Sequence, residues 1–203
     1  MFEECYLQKA IKLIKNLLME ERIKFQKIVK ENLELACKIQ NEIFPEEDAR
    51  ENYIECINRT PYRKELDYYI AYWDDKPIWV TGIYSYHEYP DDAWLGWFGI
   101  LDDYRWNGLG GELLDRTIKL ARDKWYKNFR LYTDEFAKTA HKLYESRWLI
   151  KEKYNRPDDE DQYFQAEIYI YSIGLIGNNI ELWDNKLLWL KQQGEKENMY
   201  KTH

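Results

Sequence analysis

The chain has 203 residues, 45% of them hydrophobic, with only nine Gly and five Pro, so it holds material for a domain-sized core and no disorder signature. Its net charge of −7 repels nucleic-acid phosphates and anionic membrane surfaces, which argues against both as partners. Cys5, Cys37 and Cys56 form no C-x-x-C pair and no apolar run reaches the roughly 18 residues of a bilayer span. The start, MFEECYLQKAIKLIKNLL, is studded with lysine and unlike a signal peptide, so the sequence reads as soluble and cytoplasmic.

In chain order, residues 2–20 carry a helical stripe, Tyr6, Ala10, Leu13 and Leu17 lying beside Leu7, Ile11, Ile14 and Leu18. Residues 22–29 alternate as a strand does. Asn32 stands as the cap of a helix running to Phe44, where Pro45 ends it. A second helix runs through Asn58 to a stop at Thr60-Pro61. Segments 66–73 and 77–86, around the acidic turn Asp74-Asp75-Lys76, make a hairpin. Residues 93–101 (AWLGWFGIL) are nearly all apolar and predict a central strand covered on both faces. From Gly108 to Trp125 the period turns helical, with Leu113, Leu114, Thr117, Leu120 and Ala121 along one side. A strand at 129–133, a helix at 136–148 and two closing strands at 149–154 and 161–175, joined by the polar turn NRPDDED, follow. An amphipathic helix over 178–192 comes last. The order implies an α/β (mixed α+β) fold: a mostly antiparallel sheet, helices on both faces and one parallel crossover over 101–134.

The informative segment is Gly99 to Leu114, GILDDYRWNGLGGELL, in which a buried strand runs into Arg105, then a glycine-rich turn, then a helix. Gly108, Gly110 and Gly111 let backbone come close to a bulky anion. The first helical N–H groups have no partner within the helix, and the dipole places about half a positive charge there. Phosphate is the natural guest of such a turn, and Arg105 adds a fixed charge. A dinucleotide fingerprint would need glycine where Leu113 stands, and a Walker A loop would need Gly-Lys-Ser/Thr where Glu112-Leu113 follow.

The spacing Arg105-x-x-Gly108-x-Gly110 resembles the (Q/R)-x-x-G-x-(G/A) signature of the GNAT superfamily of N-acetyltransferases. Ile100 to Arg105 sits where that family has V-x-P-x-Y-R, and Ala140-His-Lys-Leu143-Tyr144-Glu145 resembles its A-x-x-L-Y-E. The resemblance implies a single acyltransferase domain with a GNAT-like core over 22–175, an extra N-terminal helix (1–21) and a C-terminal helix and tail (176–203). It implies acetyl-CoA as co-substrate, its pyrophosphate held by backbone N–H groups of Trp106, Asn107, Gly108, Leu109, Gly110 and Gly111. Ile100 and Leu101 would pair with the pantetheine arm, and Tyr144 would protonate the departing thiolate.

Three residues depart from the family pattern. Asp102 replaces the proline, Ala137 an asparagine that contacts pantetheine, and Trp148 the glycine after Tyr-Glu-x-x, which leaves the following turn open. The general base is not legible. His87, Glu88, Asp91 and Asp92 are the nearby candidates beside water, while His141 reads as an exposed helix residue. No His, Cys or carboxylate cluster has metal spacing. The expected acceptor is a small-molecule primary amine. The aromatic and acidic junction Glu42-Ile-Phe-Pro-Glu-Glu-Asp48, with Trp94, Trp97, Phe98 and Asp91-Asp92, suits a cationic one. A homodimer stays open. The rival reading is a catalytically silent CoA-binding sensor or scaffold.

Overall fold

The computed structural model describes residues 22–59, 63–105, 108–155, 166–175, 177 and 179–186. The helix expected at 2–20, the stop at Thr60-Pro61, most of the NRPDDED turn, Trp106, Asn107 and residues 187–203 lie outside them. Among the described residues eight strands, β1 (Ile23–Lys27), β2 (Arg63–Trp73), β3 (Lys76–Tyr86), β4 (Asp92–Leu95), β5 (Gly99–Ile100), β6 (Asn128–Asp134), β7 (Ile150–Tyr154) and β8 (Ile168–Gly174), form one mixed, mostly antiparallel sheet. Its order is β1-β2-β3-β4-β6-β8-β7, with β5 also on β3. Among the described residues four helices accompany it: α1 (Leu33–Ile43), α2 (Arg50–Asn58), α3 (Leu109–Asp123) and α4 (Lys138–Glu145). The described residues fall into two compact units, one within Met1–Arg59, Asp67–Gly82 and Trp97–Leu109, the other within Thr60–Leu66, Ile83–Gly96 and Gly110–His203.

In the first unit β1 pairs antiparallel with β2, from Ile23↔Trp73 to Lys27↔Tyr69. The β2–β3 hairpin closes through Asp74 (φ 47°) and Asp75 (φ 63°), a left-handed pair whose twist suits a two-residue turn. Arg22 forks onto Asp74, and Lys24 reaches Asp75 at 2.8 Å. The stripe Ala36, Cys37, Ile39, Gln40 and Ile43 buries one side of α1. Asn32 does precede α1, but its side chain turns backward: Oδ1 accepts from Val29 N–H and Nδ2 donates to the Lys27 carbonyl. It therefore stitches β1 to a single 3-10 turn at Lys30–Asn32 and does not cap the helix. Arg50 forks onto Glu34 at 2.8 and 2.7 Å, tying α2 to α1, and buried Tyr53 donates its hydroxyl to Gln40 Oε1 at 3.0 Å. Cys37 and Cys56 are buried free thiols whose pKa values burial raises.

The strand expected over 93–101 is two strands. β3 pairs with β4 at Ile83↔Leu95 but with β5 at Val80↔Gly99, so the register slips by one residue between them. That extra residue is a β-bulge at Gly96–Phe98. Its aromatics are taken up locally, Phe98 edge-on to Trp79 at 4.1 Å and Trp97 against Phe44 at 5.6 Å. Gly99 permits this, because a Cβ there would fall 2.4 Å from Ile43 and 2.6 Å from Phe44, at the end of α1.

In the second unit β4 and β6 run parallel, joined through α3, which buries Leu113, Leu114, Thr117, Ile118 and Ala121 and leaves Leu120 half-buried. They pair at only three positions, Asp92↔Asn128, Ala93↔Phe129 and Trp94↔Arg130. β6 then continues to Asp134, paired only with β8 on its other side. A β4–β6 split thus opens directly after Trp94 and Arg130. The helix expected over 178–192 is not helical in its described part, 179–186. Trp183 is instead pressed to 1% exposure against Trp94 and Tyr89, ring centroids 4.8 Å away in both cases. The Glu152 carboxylate accepts from the Trp183 and Asp184 N–H groups, and Asp184 and Asn185 turn the chain with φ 53° and 54°.

Candidate active site

The segment expected to receive phosphate begins where β5 ends. Leu101 N–H donates to the Ile78 carbonyl at 3.0 Å, which anchors it to β3. A 3-10 turn at Asp102–Tyr104 follows, so Asp102 starts a turn where the family has proline. Arg105 is held from two sides: Nε donates to the Ile100 carbonyl at 3.1 Å, and Nη1 pairs with Asp102 at 2.7 Å. The side chain predicted as a fixed charge thus also braces the strand end. Gly108 takes φ +76°, and a Cβ built on it would meet nothing within 4 Å, so its backbone is open to an approaching group. The helix α3 starts at the next residue, Leu109, with the first-turn N–H groups that a helix cannot satisfy internally.

Tyr144 lies on α4 and is 5% exposed, its ring 5.3 Å from that of Tyr171 on β8. Burial pushes its hydroxyl well above the ordinary tyrosine range, so the phenol stays protonated across physiological pH. A proton donor requires that state.

With this geometry in place, comparison with known proteins settles the family. The sequence profile of the Acetyltransferase (GNAT) family matches residues 33–148. The chain belongs to that family. Among solved structures, the fold is similar to ribosomal-protein-S18-alanine N-acetyltransferase from Escherichia coli (16% identity, TM-score 0.58, 79% of this chain and 99% of that one). It is also similar to the spermidine/spermine N-acetyltransferase SpeG from Vibrio cholerae (11% identity, TM-score 0.61, 76% and 95%) and to an acetyltransferase of GNAT family from Streptococcus pneumoniae (15%, 0.57, 75% and 99%). No curated protein sequence matches. This GNAT acetyltransferase is an acyltransferase by family, and its mixed sheet is the one the resemblance implied.

The remaining site residues sort by where the GNAT fold puts them. His87 and Glu88 are exposed on the loop before β4. Asp91 pairs with Lys127 at 2.6 Å. Asp92 is buried, 3.1 Å from the fully buried Arg130 guanidinium, and accepts from Asn128 Nδ2 at 2.9 Å. Removing one partner of a buried ion pair costs about 3–5 kcal/mol, so Asp92 serves the fold and is a poor general base. His141 is buried, contrary to the exposed position expected of it. Its Nε2 lies 2.9 Å from the Asp134 carbonyl oxygen and its Nδ1 2.7 Å from the Tyr171 hydroxyl.

Arg147 belongs to none of the sequence motifs, yet it lies beside the start of α3. A Cβ on Gly111 would fall 1.7 Å from its Nη2, so the guanidinium lies directly on the first turn of α3. It is steadied by Asp115 at 3.3 Å and Ser146 Oγ at 2.9 Å. Its charge adds to the positive end of the helix dipole, and both favour an anion there. Among the described residues no group of three or more His, Cys, Asp or Glu could hold a metal ion, and no helix is long and apolar enough to cross a membrane.

Proposed function

We propose that this chain works as a single acyltransferase domain in the cytoplasm, moving an acetyl group from acetyl-CoA to the primary amine of a small cationic molecule by direct transfer. The observation that carries the reading is the turn into α3, where an open, left-handed Gly108 directly precedes the first helical residue, Leu109, and the Arg147 guanidinium lies against Gly111 of that helix. In this reading backbone N–H groups from Trp106 to Gly111 receive the pyrophosphate, and Ile100 and Leu101 hold the pantetheine arm by strand-like pairing. Arg105, bonded to the Ile100 carbonyl, keeps that strand end in place. Tyr144 supplies the proton to the leaving sulfur. A thiol titrates near 8.5 and a free tyrosine near 10, and such a positioned donor contributes about 10²–10⁴ in rate.

For the acceptor, Asp91 and Asp92 are already spent on Lys127 and Arg130, so they do not support a cationic partner. The support comes from the α1–α2 junction. Glu42, Glu46 and Glu47 are exposed there with no ion pair among the described residues, beside Phe44 packed on Trp97. An aromatic and acidic rim attracts an ammonium group. Thiol release from acetyl-CoA, followed with matched cationic, neutral and acidic amines at two ionic strengths, tests this. Cationic acceptors should show the highest kcat/KM, falling as salt rises. Neutral or acidic acceptors winning without salt dependence would overturn the cationic acceptor, and calorimetry showing no CoA binding would overturn the cofactor assignment.

A further inference from the structure

Helix α4 carries His141, Tyr144 and Glu145 within little more than one turn, and two of the three converge on one atom of another element. The Tyr171 hydroxyl on β8 lies 2.7 Å from His141 Nδ1 and 3.2 Å from Glu145 Oε1. Tyr171 itself is fully buried. The protonation of this cluster follows from its partners. A backbone carbonyl only accepts, so the His141 nitrogen facing the Asp134 oxygen at 2.9 Å carries a hydrogen. In the neutral ring Nδ1 is then the acceptor, and the Tyr171 hydroxyl donates its single hydrogen to it at 2.7 Å, with Glu145 Oε1 at 3.2 Å a competing acceptor for the same hydrogen. The imidazole therefore links three elements in a fixed tautomer: the end of β6 through Asp134, α4 through its own backbone, and β8 through Tyr171. The Tyr169 ring, edge-on at 5.5 Å, closes its remaining side.

Tyr144 sits between the two clasping residues in sequence and packs on the same Tyr171 ring, at 5.3 Å. A roll of α4 about its axis would draw His141 Nδ1 and Glu145 Oε1, the two acceptors that face the Tyr171 hydroxyl, away from it together and carry the Tyr144 phenol with them. We infer that His141 and Tyr171 are positioning residues for Tyr144, a clasp that fixes the rotation of α4 on β8. The inference rests on the reading of Tyr144 as proton donor.

The test is a double-mutant cycle on the full chain. Tyr171→Phe removes one oxygen and keeps the ring. It should lower kcat about tenfold, since small misplacements of a reacting group are costly, with the acetyl-CoA KM within about twofold. On a Tyr144→Phe background the same change should cost less than about twofold, because there is no donor left to misplace. His141→Gln, which keeps a donor and an acceptor, should stay within about threefold of the parent, while His141→Leu should match Tyr171→Phe. Unchanged kcat in Tyr171→Phe, or an equal loss in both backgrounds, would overturn the clasp while leaving Tyr144 as donor. A Tyr144→Phe protein with normal kcat would overturn the donor reading and the clasp with it, so the two failures are told apart.

Discussion

Two tryptophans stand where the backbone favours glycine. Trp125 (φ 66°) follows α3 and Trp148 (φ 62°) follows α4, exposed to 81% and 85%. Each closes its helix in the same manner. Tyr126 N–H returns to the Ala121 carbonyl and Leu149 N–H to that of Tyr144, while Trp125 and Trp148 bond Arg122 and Glu145. This is the Schellman arrangement, whose left-handed residue is usually glycine. The turn after Tyr-Glu-x-x therefore persists with a bulky residue in it. A non-glycine residue pays roughly 1–2 kcal/mol for that conformation, and glycine returns part of this through unfolded-chain entropy. Trp148→Gly should raise stability by about 0.5–1 kcal/mol, a Tm gain of about 1–4 °C for a chain of this size, and Trp148→Ala should give no gain. Thermal unfolding of the three proteins checks it. Such residue-scale facts were partly legible: the sequence marked position 148 as a departure. The roles of His141 and Arg147 were not, because their partners, Tyr171 and Gly111, are about 30 and 36 positions away and no local pattern encodes the contact.

At the scale of elements, period and punctuation located almost every described strand and helix. Failures came where tertiary contacts outweighed local pattern. The apolar run 93–101 carried no sign of its bulge, since Trp97 and Phe98 suit a strand and are redirected only by Phe44 and Trp79. Ile180, Trp183 and Leu187 have helical spacing, yet Trp183 goes to the sheet and the chain turns behind it. Truncating a buried aromatic costs about 3–5 kcal/mol. Trp183→Ala should therefore lower unfolding free energy by about that amount in a denaturant titration, whereas an amphipathic surface helix would have lost far less. The start of α3 directly after Gly108 was legible, and the left-handed φ of that glycine refines the test of the turn. Gly108→Ala introduces strain of about 1–2 kcal/mol into the turn itself. The expected result is at least about tenfold weaker CoA binding by calorimetry, since the turn must move to relieve the strain. Unchanged affinity in the folded protein would remove the turn from the cofactor site.

Over the whole molecule the abundance of tyrosine sets a pH limit. Burial raises the pKa values of Tyr53, Tyr126, Tyr144 and Tyr171, and each rises beyond the range of an exposed phenol. Unfolding restores them to about 10. Below that pH folded and unfolded chains hold the same phenolic protons, and these groups contribute no slope. Above it the unfolded chain releases protons that the folded chain keeps, so stability falls as pH rises, by about 1.4 kcal/mol per pH unit for each group. Denaturant midpoints should be level from neutral pH to about 9.5 and drop steeply beyond 10, and Tyr53→Phe should flatten part of that drop. The edge-to-face pair Trp94–Trp183, 4.8 Å between centroids and 88° between planes, gives the fold an optical signature. Two indoles held that close in a fixed chiral arrangement couple their electronic transitions. The circular dichroism of the protein thus contains a component that exists only while residues 179–186 lie on the sheet, so seating of that segment is visible without any label.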